Sequence, residues 1–175
     1  MQKTVIIYST TDGQTKRICE QLVRQIESQT SVKLCSINEA TQIDLESCEK
    51  IIIGASIRYG KHSPLVYDFI AKNKQILLKK FTAFFTVNVV ARKPQKNTPE
   101  TNPYMKKFLE LSNWQPTFLG VFAGKIDYPK YKFLDRQMIR LIMYVTGGPT
   151  DVSGTFEFTN WDDVDKFGQA FLLAE

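Results

Sequence analysis

The sequence predicts a three-layer α/β fold, in which a five-stranded parallel sheet lies between two layers of helices. Short apolar runs rich in β-branched residues recur along the 175 residues, and segments with apolar residues at helical spacing separate them. Strands that alternate with helices pair in parallel through right-handed crossovers. For five strands we expect the order 2-1-3-4-5, and the length favours a single domain over residues 1–175.

The five predicted strands differ in how far they are buried. The first and third are continuous apolar runs, which is typical of strands covered on both faces. The second alternates apolar and polar residues, which is typical of an edge strand. The strands are predicted at residues 5–8, 32–37, 50–56, 81–90 and 118–123.

Four helices are predicted between and after these strands. The first covers residues 15–26, and the second begins at Pro64 behind the N-cap Ser63 and runs toward Leu77. The third covers about 104–111, after a long polar loop at 92–103, and Asn160 opens the last one.

A helical insert at about 125–154, after or within the fifth strand, interrupts the alternation. It contains a helix predicted at 131–144, which has a broad apolar face and ends before Gly147. Residues 156–158 form a further short strand, either a continuation of the fifth strand or its neighbour. The polar face of the insert helix is basic, with Lys130, Lys132, Arg136 and Arg140.

Composition excludes several classes of protein. No apolar run approaches the roughly 20 residues of a membrane-spanning helix. The three cysteines lack any C-x-x-C pairing, so we expect them to be reduced and structural, and neither they nor the single His62 indicates a metal site. His62 lies in a loop and is expected to be solvated. The first strand begins almost at once, so we expect no signal peptide, a cytosolic protein and no nucleic-acid partner.

Residues 9–15 form a hydroxyl-rich turn between the first strand and the first helix. Its backbone N–H groups, its hydroxyls and the positive end of the helix dipole suit a phosphate monoester. It matches neither the P-loop nor the G-x-G-x-x-G pattern. An ordinary helix N-cap, made by Thr11 or Asp12, explains the same residues equally well.

Ligands of open parallel sheets bind at the carboxyl ends of the strands, where the strand order reverses. In the order 2-1-3-4-5 this crevice lies beside the first and third strands. Three loops meet there, at 9–15, 55–63 and 88–99. Arg58, Tyr59, Asn88 and Arg92 lie on the second and third loops and suit the edges and faces of a flat heterocycle.

Four short motifs carry a more specific resemblance. They are Asp-Gly-Gln-Thr at 12–15, Ile-Gly-Ala-Ser-Ile-Arg-Tyr-Gly at 53–60, Val-Ala-Arg-Lys-Pro at 90–94 and Tyr-Pro-Lys-Tyr-Lys at 128–132. Together and in this order they resemble the quinone-dependent protoporphyrinogen IX dehydrogenases, within the flavodoxin-like superfamily. The turn at 9–15 resembles the flavodoxin phosphate turn with one extra residue, Asp12.

The resemblance implies a flavodoxin-like domain with FMN as cofactor. It implies oxidation of protoporphyrinogen IX to protoporphyrin IX, with electrons passed to menaquinone or ubiquinone, by an enzyme peripheral to the cytoplasmic face of the inner membrane. The alternative is a non-catalytic electron carrier. No catalytic side chain and no metal ligand is predicted, because the flavin carries the chemistry.

The predicted cofactor site has sixteen residues: Ser9, Thr10, Thr11, Asp12, Gly13, Gln14, Thr15, Ser56, Ile57, Arg58, Tyr59, Asn88, Val89, Val90, Ala91 and Arg92. Arg58, Arg92 and Lys93 are predicted to pair with the substrate propionates, and Tyr128 and Tyr131 to line the substrate entrance. The insert has three possible roles: plain core packing, an anchor at the membrane surface, or a wall of the substrate site.

Overall fold

The computed structural model describes residues 3–174 and contains the predicted five-stranded parallel sheet, in the order β2-β1-β3-β4-β5. Within this range no helix is both long and apolar enough to span a bilayer. The strands are β1 (Lys3–Ser9), β2 (Ser31–Ser36), β3 (Lys50–Ser56), β4 (Phe81–Asn88), β5 (Phe118–Ala123), β6 (Lys125–Asp127) and β7 (Thr155–Glu157). The helices are α1 (Gln14–Ile26), α2 (Pro64–Leu77), α3 (Pro103–Ser112), α4 (Phe133–Thr146) and α5 (Trp161–Leu173).

The sheet is buried on both faces because successive side chains of a strand point to opposite sides. Ile51 and Ile53 of β3 pack with α2 and α3 on one face. Ile52 packs with α1 and α5 on the other face. This alternation produces the three layers, and β2 lies at the edge as predicted.

The fourth strand is shorter than predicted. It ends at Asn88, and Val89–Arg92 form a 3-10 turn instead of the last strand residues. The reason is a side-chain bond, because the Asn88 carboxamide oxygen accepts the backbone N–H of Ala91 at 3.0 Å. The chain therefore leaves the sheet early, and the predicted long loop holds a second 3-10 turn at Pro94–Lys96.

The insert (residues 125–154) follows β5 and does not divide it. β6 continues directly from β5 after Gly124, and it pairs antiparallel with β7 in a separate two-stranded sheet. The short strand predicted at 156–158 is therefore found at Thr155–Glu157 as a neighbour of β6. This small sheet holds both ends of the insert at the carboxyl edge of the main sheet.

Helix α4 begins two residues later than predicted, because Tyr128–Lys130 form a 3-10 turn containing Pro129. It ends at Gly147, whose φ of 72° is in the left-handed region, and the Gly148 N–H bonds the Met143 carbonyl at 2.7 Å. Met143 is the one fully buried side chain of this helix. The insert packs its own small cluster, formed by Ile126, Tyr128, Tyr131 and Met143, so most of the predicted apolar face of α4 does not pack against the domain.

Candidate functional site

A cavity of about 150 Å³ lies at the carboxyl ends of β1, β3 and β4, where the strand order reverses. The turn after β1 forms one end, and the loops after β3 and β4 form the sides. Helix α4 closes the cavity with Ile139, Ile142 and Met143. Eleven of the sixteen residues predicted for the cofactor line it: Thr10, Asp12, Gln14, Thr15, Ser56, Ile57, Arg58, Tyr59, Asn88, Val89 and Val90.

The turn after β1 is built to present the start of α1. Gly13 has a φ of 92°, a conformation that costs glycine little. The Gly13 N–H donates to the Thr10 hydroxyl at 2.9 Å, which closes the turn. Gly13 itself is the N-cap residue, and no side-chain hydrogen bond caps this helix. The alternative, in which Thr11 or Asp12 caps α1, is therefore wrong, and the first-turn amides keep the anion-binding character of a helix N-terminus.

Thr15 supplies an independent indication of a ligand. Its side chain is fully buried, and its hydroxyl has no hydrogen-bond partner among the residues that the structure describes. Buried polar groups without partners are uncommon and costly. Because this hydroxyl lies beside the uncapped helix N-terminus and lines the cavity, the residues present fit a phosphate group at this position.

Gln14 ties the turn to the segment after β7. Its side-chain amide donates to the Thr159 hydroxyl at 2.8 Å and to Glu157 at 3.2 Å. Glu157 also accepts from the Arg17 guanidinium at 3.3 Å and from the Trp161 indole N–H at 2.8 Å. This network fixes the first turn of α1 against the start of α5.

Arg58 and Asp12 connect the loop after β3 with the turn after β1. The guanidinium donates to the Asp12 carboxylate at 3.1 Å. Desolvation raises the pKa of Asp12 above its ordinary value, and Arg58 acts against that rise. The cation thus offsets the negative charge that Asp12 brings to this turn.

Asn88 is the centre of a buried polar network behind the cavity. Its amide N–H donates to the Thr86 hydroxyl at 3.3 Å, and its oxygen accepts from Asn102 at 3.1 Å. His62 lies 2.9 Å from the same Thr86 hydroxyl and is buried, so the expectation of a solvated histidine is wrong. Burial lowers the pKa of His62 to about 4, which keeps the ring neutral at pH 7. This network positions the loop after β4.

Seven predicted residues lie outside the cavity wall. Arg92 donates to the carbonyls of Val89, at 3.0 Å, and Thr146, at 3.1 Å, and so joins the loop after β4 to the end of α4. Tyr128 is fully buried in the insert, and its hydroxyl donates to the Pro149 carbonyl at 2.6 Å. Of the substrate residues, Arg58 and Tyr131 line the cavity. The others outside it are Ser9, Thr11, Gly13, Ala91 and Lys93.

Several residues that line the cavity were not among the predicted site residues. The cavity residues on α4, Ile139, Ile142 and Met143, recur at helical spacing and so lie on one side of the helix. This spacing is the sequence signal from which they could have been predicted. Nothing in the sequence directs Tyr104 or Lys125 toward the cavity. The full set is Gly60, Val87, Tyr104, Gly124, Lys125, Ile126, Ile139, Ile142 and Met143.

Comparison with known proteins agrees with this geometry. Residues 5–153 match the family model described as "Flavodoxin domain". The chain is 42% identical to "Protoporphyrinogen IX dehydrogenase [quinone]" of Leishmania major over 171 residues, which cover 97% of this chain and 74% of that protein. It is 39% identical to the protein of the same name from Escherichia coli K12 over 168 residues, covering 95% and 93%.

Solved structures support the fold. Oxidised flavodoxin 1 from Bacillus cereus aligns with a TM-score of 0.57 at 15% identity, over 98% of this chain and 97% of that chain. Oxidised flavodoxin 2 of the same organism aligns with a TM-score of 0.54 at 18% identity, over 97% of each chain. The chain therefore belongs to the flavodoxin family and, within it, to the group of relatives named protoporphyrinogen IX dehydrogenase [quinone].

Proposed function

We propose that the protein is an FMN-dependent oxidoreductase that oxidises protoporphyrinogen IX to protoporphyrin IX in haem biosynthesis, with a quinone as electron acceptor. The observation that carries the proposal is the extent of the likeness to relatives of that name, which spans 95% to 97% of this chain and so includes the insert. A flavin cofactor fits the family, and the phosphate turn makes FMN the form that we propose.

The residues of the protein would bind and orient the cofactor, and the cofactor would carry out the chemistry. A bound flavin supplies hydride transfer. The Thr15 hydroxyl and the first-turn amides of α1 would hold the phosphate. Ile57, Tyr59 and Val89 line the cavity where a planar ring would lie. Ile142 and Met143 of α4 line the same space with apolar side chains.

The substrate requires repeated use of this site. Protoporphyrinogen loses six electrons on becoming protoporphyrin, which corresponds to three two-electron oxidations per molecule. Menaquinone or ubiquinone accepts the electrons in our proposal. Lys125 lines the cavity and is partly exposed, so it replaces Arg92 as the candidate partner of a propionate, because the Arg92 guanidinium is bonded to backbone carbonyls.

A membrane-surface role of α4 forms part of the proposal. Seven large apolar side chains of this helix, Phe133, Leu134, Met138, Leu141, Ile142, Tyr144 and Val145, are between 41% and 79% exposed. Lys132 and Arg140 are exposed beside them. Apolar side chains flanked by basic ones suit the boundary between acyl chains and anionic head groups. These side chains support our proposal that the enzyme acts at a membrane surface, where a lipophilic quinone is dissolved, and we propose the cytoplasmic side of the inner membrane.

Vesicle co-sedimentation tests the membrane role. Lys132→Glu combined with Arg140→Glu should lower binding to vesicles rich in phosphatidylglycerol at least about tenfold, since each basic residue near an anionic surface contributes about 1 kcal/mol. Lys72→Glu combined with Lys79→Glu makes the same change of net charge on and just after α2 and should bind like the parent. Equal loss in both double variants would show that net charge alone governs binding.

Anaerobic mixing tests the proposed reaction. Protein loaded with FMN is mixed with protoporphyrinogen, with and without a water-soluble menaquinone analogue, while porphyrin fluorescence is recorded. We expect one oxidation step without the quinone and complete, repeated conversion with it. An electron carrier would give no porphyrin from protoporphyrinogen, although its flavin would still be reduced by other electron donors.

A further inference from the structure

Asp135, in the first turn of α4, reaches across to the loop after β3. Its carboxylate accepts a hydrogen bond from the Arg58 guanidinium at 2.9 Å and another from the Tyr59 hydroxyl. Both partners line the cavity. The insert is therefore fastened to the rim of the cofactor cavity by one carboxylate.

Arg58 extends this contact to a third segment. Its other terminal nitrogen donates to Asp12 at 3.1 Å, so one guanidinium joins the phosphate turn, the loop after β3 and α4. It also lies over the rings of Tyr59, at 5.2 Å, and Tyr131, at 5.7 Å.

The loop that carries Tyr59 needs this support. Tyr59 has a φ of 50°, in the left-handed region that bulky residues rarely occupy. Reciprocal backbone bonds between Arg58 and Lys61 close the loop tightly. About half of the Tyr59 side chain is exposed, so packing alone does not fix its ring. Its hydroxyl bond to Asp135 and the Arg58 guanidinium over its face together orient the ring.

We propose that Asp135 is a positioning residue, which holds Arg58 and Tyr59 at the cavity mouth and thereby keeps α4 placed to receive the tetrapyrrole. This inference rests on the proposed function. Without the Asp135 carboxylate, Arg58 keeps Asp12 as its acidic partner, the Tyr59 hydroxyl loses its charged acceptor, and the N-terminal half of α4 is held less firmly at the rim. Arg92 still holds the far end of the helix through Thr146.

The contacts define the variants. Asp135→Asn removes the charge, so that the bonds from Arg58 and Tyr59 are reduced to those of a neutral amide oxygen, whereas Asp135→Glu keeps a carboxylate one methylene further out. Asp151→Asn is the matched control, because Asp151 is a carboxylate of the same insert whose hydrogen bonds go to Ser153 within its own turn. All three variants would be studied as FMN-loaded protein.

Two measurements separate positioning from general damage. Hydrogen exchange followed by mass spectrometry reports protection of the α4 peptides, and steady-state kinetics reports KM for protoporphyrinogen beside turnover with a small uncharged reductant. Asp135→Asn should lose protection in α4 and raise KM about tenfold, the effect of one charge-assisted hydrogen bond. Turnover with the small reductant and FMN content should stay within twofold. Asp135→Glu should recover most of the protection, and Asp151→Asn should match the parent.

The inference would be overturned if Asp135→Asn showed the same protection of α4 and the same KM as Asp151→Asn. A loss of turnover with both reductants would also overturn it, since that pattern assigns Asp135 to the flavin itself. If the parent oxidises no protoporphyrinogen, the proposed function fails, whereas the exchange measurement still decides whether Asp135 fastens α4.

Discussion

Replacing Thr15 by valine should move the stability of the apoprotein and its affinity for FMN in opposite directions. The Thr15 hydroxyl is buried and has no partner in the part of the chain that the structure describes. A buried polar group without a hydrogen bond costs about 1–3 kcal/mol, and valine has nearly the same shape without the hydroxyl. The apoprotein should therefore gain about 1 kcal/mol, which corresponds to a rise in Tm of about 2–4 °C for a domain of this size.

The same hydroxyl would become a donor to the phosphate when FMN binds. A hydrogen bond to a charged group contributes about 1.5–3 kcal/mol, so Thr15→Val should weaken FMN binding about ten- to a hundredfold. Calorimetric unfolding of the apoprotein gives the first quantity, and fluorescence titration with FMN gives the second.

Thr15→Ser is the control for this prediction. It keeps the hydroxyl and should bind FMN within a few-fold of the parent. A Thr15→Val protein that is less stable as apoprotein and binds FMN normally would show that the hydroxyl has a structural partner, and the phosphate assignment of Thr15 would be lost.

Three further predictions concern buried groups that lie outside the cavity wall. Lowering the pH from 6.5 to 4 should destabilise the protein by on the order of 3 kcal/mol through His62, because its folded pKa of about 4 lies below its unfolded value and the unfolded chain takes up the proton first. Urea unfolding at several pH values should show that the free energy of unfolding changes less with pH in His62→Gln than in the parent. Lys50→Met should lower the free energy of unfolding by about 2–3 kcal/mol, because the buried Lys50 ammonium donates to three carbonyls at the end of α5, one of them Ala174 at 2.7 Å. A denaturation midpoint in this variant equal to that of the parent would contradict this account. Gly54→Ala should lower the free energy of unfolding by about 1–3 kcal/mol, because the new Cβ would lie 2.2 Å from the Phe85 ring. Thermal unfolding should show that adding Phe85→Leu restores part of the lost Tm.

The sheet could be predicted from the sequence because its strands consist largely of continuous apolar residues. Ile51, Ile52 and Ile53 allow no exposed face, so a central parallel strand was the available interpretation. The end of β4 was not predictable in the same way. Val89 and Val90 continue the apolar run, and the chain turns there because the Asn88 side chain captures the Ala91 amide. A single local hydrogen bond from side chain to backbone, spanning three residues, overrides the preference of Val89 and Val90 for a strand.

The site was predictable at the level of loops, since topology alone brings the ends of β1, β3 and β4 together. The direction of individual side chains was not predictable. Arg58 and Arg92 each lie in a loop that follows a strand, so the sequence pattern predicts equivalent roles for them. In the structure Arg58 faces the cavity, whereas Arg92 turns toward the carbonyls of Val89 and Thr146. The difference depends on where α4 ends, which no pattern near Arg92 indicates.

The position of Ile142 links the two surfaces of the insert. Its side chain lines the cavity and is also 41% exposed, so the wall of the cavity and the apolar outer surface of α4 meet at this residue. Tyr131 and Ile139 continue the inner edge, and Leu141 and Val145 continue the outer surface. If α4 lies on a membrane, as proposed, a quinone dissolved in the lipid would meet the mouth of the cavity without crossing water, because apolar contact is continuous from the outer surface to the site. The same insert would then account both for the position of the enzyme and for its choice of a lipophilic acceptor, and the exposed apolar side chains of α4 need no buried partner within the protein.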